Sequence, residues 1–281
     1  TTSGGNSTGP GPNHNGGAAA AVNITSGDAA PGDTHAITLN GTITALGGSA
    51  TNGTAGADGT VTLTADGAVV DGNAGTLNVS AGTLVIDAVT GVASLADPLE
   101  ISVTDLDVDN TVSGQIGLTE ANGVSVTKIA QTGNGAVTLV ATLGNITIPT
   151  AGSGITSTGN GTVTVTASAG SIAINDVITT VGGLVDIDGQ TGVTSDANGV
   201  ITTTAAANGG AVSGAVQINV NGAGNISLAG NIVSTGAAST GGTASAGGQV
   251  DIVTSDGTVA VGTITTSGGN STGPGPNHNG G

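Results

Sequence analysis

The sequence predicts an all-β protein folded as a parallel β-helix, a solenoid of about ten rungs in each 264-residue repeat. Three observations favour this fold. Short segments alternate apolar and polar residues, which is typical of strands with one buried face. Val, Ile and Thr, which favour the pleated strand, dominate these segments. Gly-rich turns separate them, and the chain contains 54 glycines in 281 residues.

Pairs of aliphatic residues two positions apart recur after Gly-rich turns and mark the opening strand of each rung. Ten such openings give a mean spacing of 264/10 = 26.4 residues. The pairs are Val22 and Ile24, Val61 and Leu63, Leu77 and Val79, Ile101 and Val103, Ile116 and Leu118, Val137 and Leu139, Val163 and Val165, Val185 and Ile187, Val216 and Ile218, and Val250 and Ile252.

A second aliphatic pair follows most openings, and a third short strand often follows that. Residues 162–183 show all three strands, and this three-strand unit is what a β-helix rung requires. Inward Val, Ile and Leu would then stack from rung to rung while Thr, Ser, Asn and Asp meet solvent. An antiparallel sandwich or barrel also gives short strands between turns, but it does not explain the repeated unit. Second-strand pairs expected in the core are Leu84 and Ile86, Ile146 and Ile148, Ile172 and Ile174, and Ile226 and Leu228.

Residues 1–17, TTSGGNSTGPGPNHNGG, are identical to residues 265–281, at an offset of 265 − 1 = 264 residues. Identity at a fixed period is typical of repeat proteins. We therefore expect residues 1–281 to form a single β-solenoid segment, one 264-residue repeat plus a 17-residue overlap. The alternative is a duplicated linker flanking one domain. Because Met is absent and residues 1–17 lack an apolar stretch, we expect no signal peptide here, and a processed chain or a piece of a longer one.

Composition excludes several functions. The net charge is -17 and Lys128 is the only basic residue besides three histidines, so the basic footprint of a nucleic-acid binder is missing. There are no aromatic residues for base or sugar stacking and no Cys for disulfides or zinc. No apolar run is long enough for a membrane span. We expect no enzymatic activity, since no catalytic motif stands out and sugar-binding aromatics are absent.

Four Gly-, Ser-, Thr- and Ala-rich insertions interrupt the rungs, each after a third strand. They cover residues 47–59, 205–215, 235–248 and 267–281, the last continuing as 1–20 in the repeat sense. The pattern predicts that all four leave one corner of the helix in series. They would be either passive spacers or a Gly-rich ridge for lateral packing or ligand display.

Carboxylates form the one candidate metal site. Asp105, Asp107 and Asp109 alternate with apolar residues and should share the outer face of one strand. If Leu84 and Ile86 stack against Leu106 and Val108, Asp87 lies beside Asp109. Such an all-oxygen cluster suits calcium, and the alternative is an exposed acidic face that keeps a filament soluble. Apart from this calcium, we expect no cofactor.

Several Asn-X-Ser/Thr triplets occur at about the frequency expected by chance in a chain this rich in Asn, Ser and Thr. Asn6 and Asn270 lie in predicted loops and are the most accessible candidates for glycosylation.

The strings GTVTVTASAGSIAIND (161–176), GNISLAGNIVSTG (224–236) and HAITLNGTITALGG (35–48) resemble those of large repetitive bacterial exoproteins of the filamentous haemagglutinin type. The resemblance extends over most of the period and implies secretion, a long right-handed β-helix, and a role in adhesion, biofilm or the cell-surface coat. The chain departs from that type in its regular 264-residue copies and its lack of a visible secretion domain.

The leading hypothesis is a structural repeat of an extracellular filament, sheath or stalk whose partners are further copies of itself, end to end and also laterally. The second is a cell-surface adhesin that binds a host, mineral or biofilm matrix through Gly-rich loops or an acidic face. A third is an ice-binding β-helix, but the outward residues after the opening positions vary too much for a flat Thr array.

Overall fold

The computed structural model describes residues 1–9, 14–27, 34–207, 212–240 and 242–272. These residues form twenty-five short strands and no helix, which confirms the all-β prediction. The pairings between strands are parallel, and the sheet curls 322° around an axis so that it nearly closes. The architecture is therefore solenoid-like.

The strands follow one another with short connections in the middle of the chain and longer ones towards both ends. The first nine are β1 (Thr2–Ser3), β2 (Val22–Ser26), β3 (Ile37–Leu39), β4 (Ile43–Leu46), β5 (Thr60–Ala65), β6 (Val69–Asp71), β7 (Val79–Ala88), β8 (Leu99–Asn110) and β9 (Ile116–Glu120). The next eight are β10 (Val124–Gln131), β11 (Val137–Ala141), β12 (Ile146–Ile148), β13 (Gly154–Ser157), β14 (Val163–Ala167), β15 (Ser171–Ile174), β16 (Ile178–Thr180) and β17 (Val185–Gly189). The last eight are β18 (Gly192–Ser195), β19 (Ile201–Thr202), β20 (Val216–Val220), β21 (Asn225–Leu228), β22 (Ile232–Val233), β23 (Val250–Thr254), β24 (Val259–Val261) and β25 (Ile264–Thr265).

Strand pairing sorts these elements into three faces, which the chain visits in the order I, II, III. Face I stacks β2, β5, the second halves of β7, β8 and β10, then β13, β16, β19, β22 and β25. Face II stacks β3, β6, a bridge at Val92, β9, β11, β14, β17, β20 and β23. Face III stacks β1, β4, the first half of β7, the middle of β8 and the start of β10, then β12, β15, β18, β21 and β24. The first residues of β8, Leu99–Ile101, also pair with β9 of face II.

The strand register does not confirm ten rungs or the predicted opening column. Face I contains ten strands, so the chain makes nine turns between Val22 and Ile264. Val61 lies on face I, Ile101 on face III and Ile116 on face II, although the sequence pattern grouped them. The grouping was wrong because β7 and β8 each run around a corner without a long turn and contribute to more than one face.

The predicted core is confirmed in the middle of the solenoid. Leu84, Ile86 and the other expected second-strand pairs are buried, as are the opening pairs from Val61 to Ile218 except Leu77, which precedes β7. Val22, Ile24, Val250 and Ile252 are only half-buried because they lie in the end rungs. Inward side chains are covered by the rungs on either side, so the end positions lack half of that cover.

A column of glycines lines the corner between faces I and II, formed by Gly114, Gly135, Gly161, Gly183, Gly214 and Gly248. A Cβ at Gly161 would lie 2.1 Å from the Gly135 carbonyl oxygen, so only glycine allows this rung spacing. Buried polar residues stack beside these glycines and form hydrogen bonds to their carbonyl groups. Thr180 Oγ1 donates to the Gly183 carbonyl at 2.6 Å, and Thr203 Oγ1 does the same to Gly214 at 2.6 Å.

Candidate functional site

The predicted register of the acidic strand is confirmed. Leu84 and Ile86 of β7 pair with Leu106 and Val108 of β8, and this places Asp87 directly beside Asp109. Parallel strands are about 4.8 Å apart, so the two carboxylates are neighbours on the outside of face I.

The other two predicted ligands also lie on the outer side of β8. Asp105 pairs with Thr83 on one side and Ser125 on the other, while Asp107 pairs with Val85 and Lys128. The four predicted carboxylates therefore lie on two adjacent strands, in an acidic strip made of Asp87, Asp105, Asp107 and Asp109.

Lys128 is a member of this site that the sequence reasoning missed. Its ammonium forms a salt bridge with the Asp109 carboxylate. Strict alternation after Val126 would place Lys128 inside, but a β-bulge between Val126 and Lys128 leaves both Thr127 and Lys128 facing outwards. The signal in the sequence was the adjacent polar pair Thr127-Lys128 between two buried apolar residues.

The pKa values in the acidic strip reflect the salt bridge between Lys128 and Asp109. The hydrogen bond to Asp109 raises the pKa of Lys128, and the neighbouring carboxylates add to that effect. Burial raises the pKa of Asp107, while the charge of Lys128 opposes the rise. Within the described residues, no three His, Cys, Asp or Glu side chains are grouped so that they could hold a metal ion. Calcium binding at this strip stays a prediction.

A second acidic cluster lies between faces II and III and was not predicted. Burial alone would raise the pKa of Asp71, but hydrogen bonds from the Asn73 amide and the Asn78 side chain outweigh it and lower the pKa. Burial and the charge of Asp71 raise the pKa of Glu100, and Asp97 adds to the rise. Asp71 Oδ2 and Glu100 Oε2 are buried without a hydrogen-bond partner. Asp71 and Asp97 line a cleft of about 160 Å³. These carboxylates are far apart in the sequence and meet only because of the rung register, so the cluster was not predicted.

Glu120 is a fully buried carboxyl at the end of β9. Its oxygens accept hydrogen bonds from the backbone amides of Val103 and Asn122, both at 3.0 Å. Burial nevertheless raises its pKa to about 7. Nothing in the local pattern marks it, since it follows Thr119 as an ordinary strand-end residue.

The insertions do not share one corner of this chain, so that prediction was wrong. Residues 4–21 and 47–59 connect face III to face I, whereas 205–215 and 235–248 connect face I to face II, and the segment after Thr265 follows a face I strand. The corner at which an insertion leaves the solenoid depends on how many strands precede it, and the sequence pattern predicted the wrong number of strands. Residues 10–13, 208–211, 241 and 273–281 of these insertions lie outside the described residues.

The insertions pair with one another at both ends. Near the amino end, Gly48 N donates to Gly17 O at 2.8 Å and Gly56 N donates to Gly48 O at 2.9 Å. Near the carboxyl end, Gly236 N donates to the Ser267 carbonyl at 2.7 Å. These contacts show that the insertions stack as extended Gly-rich segments.

The two glycosylation candidates lie at the surface. Asn6 is exposed, and its Oδ1 accepts a hydrogen bond from Ser49 N at 2.9 Å. Asn270 is also exposed, and its carbonyl accepts a hydrogen bond from Ser239 N at 2.9 Å. Glycosylation at either position stays a prediction.

The last rung presents apolar residues to solvent. Val259, Val261 and Ile264 are 47%, 43% and 40% exposed. All three continue stacks that are buried in the preceding rungs, since Val259 pairs with Ile226 and Ile264 with Ile232. This end of the solenoid is an apolar surface edged by strands.

Comparison with known proteins found no matching family model, curated protein or solved structure. Across the described ranges, no helix is both long and apolar enough to cross a membrane.

Proposed function

We propose that this chain is a structural repeat of an extracellular filament, sheath or stalk, in which 264-residue β-solenoid repeats follow one another head to tail. The solenoid would be a right-handed β-helix, because connections between parallel strands of one sheet are right-handed in nearly all proteins. The parallel stack supports a fibre, since each rung offers its neighbour a full set of backbone donors and acceptors.

The observation that carries the proposal is how the duplicated segment pairs at its two positions. At the amino end its partner is the following loop. Gly4 N donates to Leu46 O at 3.0 Å, Ser7 N donates to Ser49 O at 2.9 Å, and Ser7 O accepts from Thr51 N at 3.2 Å.

At the carboxyl end the same segment pairs with the preceding loop. Ser267 O accepts from Gly236 N at 2.7 Å, Asn270 O accepts from Ser239 N at 2.9 Å, and Thr272 N donates to Ser239 O at 2.8 Å. Subtracting 264 places these groups at positions 3, 6 and 8 of the segment.

The two sets of backbone groups are different. The amino-end set comprises the amides of positions 4, 7 and 16 and the carbonyls of positions 7 and 17. The carboxyl-end set comprises the carbonyls of positions 1, 3 and 6 and the amides of positions 5 and 8, so no group belongs to both sets. Alternate residues of a parallel strand point their N–H and C=O groups to opposite neighbours. One copy of the segment can therefore bond to both loops at once, as an interior segment of a continuous solenoid must.

A two-repeat chain, made by adding a second copy of residues 18–281 after residue 281, tests the proposal. We expect one rod about twice as long as the single-repeat chain, with an unchanged cross-section in small-angle X-ray scattering and electron microscopy. The matched control replaces the central segment 265–281 by a Gly-Ser linker of equal length and should give two hinged bodies. Two hinged bodies from the unaltered two-repeat chain would contradict the proposal.

Adhesion through the acidic strip is a second candidate function. It is favoured by four carboxylates on the outside of two adjacent strands, where copies would recur along a filament. We expect the chain to bind a calcium mineral surface, and a variant with Asp87, Asp105, Asp107 and Asp109 all changed to Asn to lose that binding. Equal adsorption of both proteins would contradict this role.

A further inference from the structure

The two copies of the duplicated segment begin on different faces of the solenoid. At the amino end, β1 lies on face III because Thr2 pairs with Ala45 and Ser3 with Leu46. At the carboxyl end, β25 lies on face I because Thr265 pairs with Val233. Since Thr265 corresponds to Thr1, passing from one copy to the next moves the segment by one face.

We infer that successive repeats join with a rotation of one face, so that face I of one repeat continues as face III of the next. This inference rests on the proposed head-to-tail function. It means that β2, β3 and β4 of the next repeat stack on β23, β24 and β25 of this one. The docking surface is thus the last rung, and its occupant is the first rung of a second repeat.

The length of the repeat follows from this junction. The chain makes nine turns from β2 to β25 on face I, and β2 of the next repeat then lies on face II. One repeat is therefore nine and a third turns. At about 4.8 Å for each turn, the rise is roughly 45 Å per repeat.

The register at the junction is set by β1. Thr2 pairs with Ala45, a separation of 45 − 2 = 43 residues. The same separation from Ile264 reaches residue 43 of the next repeat, because 264 + 43 − 264 = 43. Ile43, half-buried in this chain, would then cover Ile264, which is 40% exposed.

The other two faces match in the same way. Aligning inward positions places Val22 and Ile24 of the next repeat over Val250 and Ile252 on face II, where all four are half-buried. On face III, Ile37 covers Val259 and Leu39 covers Val261. Each aliphatic stack thus continues through the junction with an aliphatic residue.

The rotation also brings the insertions together. After the junction, the duplicated segment and loop 47–59 of the next repeat leave the corner between faces I and II, the corner used by 205–215 and 235–248. Four insertions then form one ridge per repeat, and the ridge moves by a third of a turn from each repeat to the next. The single corner expected from the sequence is therefore a property of the joined repeats.

Cysteine cross-linking in the two-repeat chain tests the rotation, because the natural sequence contains no Cys. One variant has D251C in the first repeat and N23C in the second. The matched variant keeps N23C and carries T265C, the partner expected if face I continued as face I. All three positions are at least partly exposed, and neighbouring strands lie within disulfide distance.

We expect a disulfide in nearly all D251C/N23C molecules and in few T265C/N23C molecules, read by mass spectrometry after mild oxidation. The reverse result would overturn the rotation while leaving head-to-tail stacking intact. Cross-linking in both variants would overturn a single register. Cross-linking in neither variant would overturn both the rotation and the proposed function. Two hinged bodies in small-angle X-ray scattering would then show that the proposed head-to-tail function had failed.

Discussion

Central and terminal rungs use the same side chains in the same inward positions, yet they bury them differently. Ile148 in β12 is fully buried, whereas Ile264 in β25 is 40% exposed. Val163 is fully buried, and Val259 is 47% exposed. The residue types and their alternation are alike, so the difference comes from the neighbouring rung. In these pairs the extent of burial depends on the neighbouring rung and not on the strand itself.

The number of residues in one turn of the solenoid also differs between the central and terminal regions. On face I the chain needs 106 − 84 = 22 residues from Leu84 to Leu106, but 61 − 22 = 39 from Val22 to Val61 and 264 − 232 = 32 from Ile232 to Ile264. The central turns are close to the minimum for three strands and three corners. The terminal turns contain the Gly-rich insertions, whose contacts are mainly with each other.

The largest expected effect compares Ile148→Ala with Ile264→Ala. Ile148→Ala leaves a cavity between two rungs, and we expect it to lower the free energy of unfolding by about 2–5 kcal/mol. Ile264→Ala removes a side chain covered on one side only, so its cost should be about 1 kcal/mol or less. Chemical denaturation of both variants and the unaltered chain measures the difference.

The two-repeat chain sharpens that comparison. There the first-repeat Ile264 becomes an interior position, and its change to Ala should cost as much as Ile148→Ala. A cost that stays small would show that a second repeat does not cover the last rung.

Much of the interior could be predicted from the sequence, because period two alone decides which side chains face inwards. Val137 and Leu139 were assigned to the core for this reason and are buried. The same pattern is repeated on all three faces, so it cannot tell which face a strand belongs to. Assigning a strand to a face requires a count of the corners along the chain, and one corner lies inside β7, between Ala81 and Thr83.

The acidic strip was predicted in part for the same reason. The pairing of Asp87 with Asp109 follows from matching apolar residues on adjacent strands. The position of Lys128 depended on a bulge, and the burial of Glu120 depended on a corner whose preceding rung supplies the Val103 amide. Neither a bulge nor a corner leaves a periodic trace in one sequence.

Glu120 should give the central rungs a pH dependence. Its pKa is about 7 in the folded chain against an ordinary 4.5, so between these pH values the folded state keeps a proton that the unfolded state loses. The free energy of unfolding should therefore fall as pH rises through this window, by about 3 kcal/mol.

Denaturation at a series of pH values checks this expectation. Glu120→Gln cannot lose the proton, so its stability should be less dependent on pH across the same window, whatever its absolute stability. A pH slope identical in the two proteins would show that Glu120 is ionised in the folded state.

The corner glycines offer a smaller contrast. Gly161→Ala places a Cβ 2.1 Å from the Gly135 carbonyl oxygen in the central stack. We expect a loss of about 1–3 kcal/mol as neighbouring rungs shift apart. The matched control is Gly41→Ala near the amino end, where a Cβ meets nothing within 4 Å and stability should hardly change. Equal effects measured by thermal unfolding would contradict the tight central corner.

The smallest expected effect lies on the outside of the central rungs. The Lys128 and Asp109 side chains are 32% and 27% exposed, and ion pairs with this exposure contribute about 0.2–1 kcal/mol. Lys128→Gln should lower the free energy of unfolding by that amount at low salt. The loss should shrink as salt is added, because mobile ions screen the pair. Asp105→Asn, which leaves the Lys128–Asp109 contact in place, is the control and should not show this salt dependence. A salt-independent loss of several kcal/mol from Lys128→Gln would mean that the outer strip helps to hold the central rungs together, and the contrast between central and terminal rungs would then no longer rest on the interior alone.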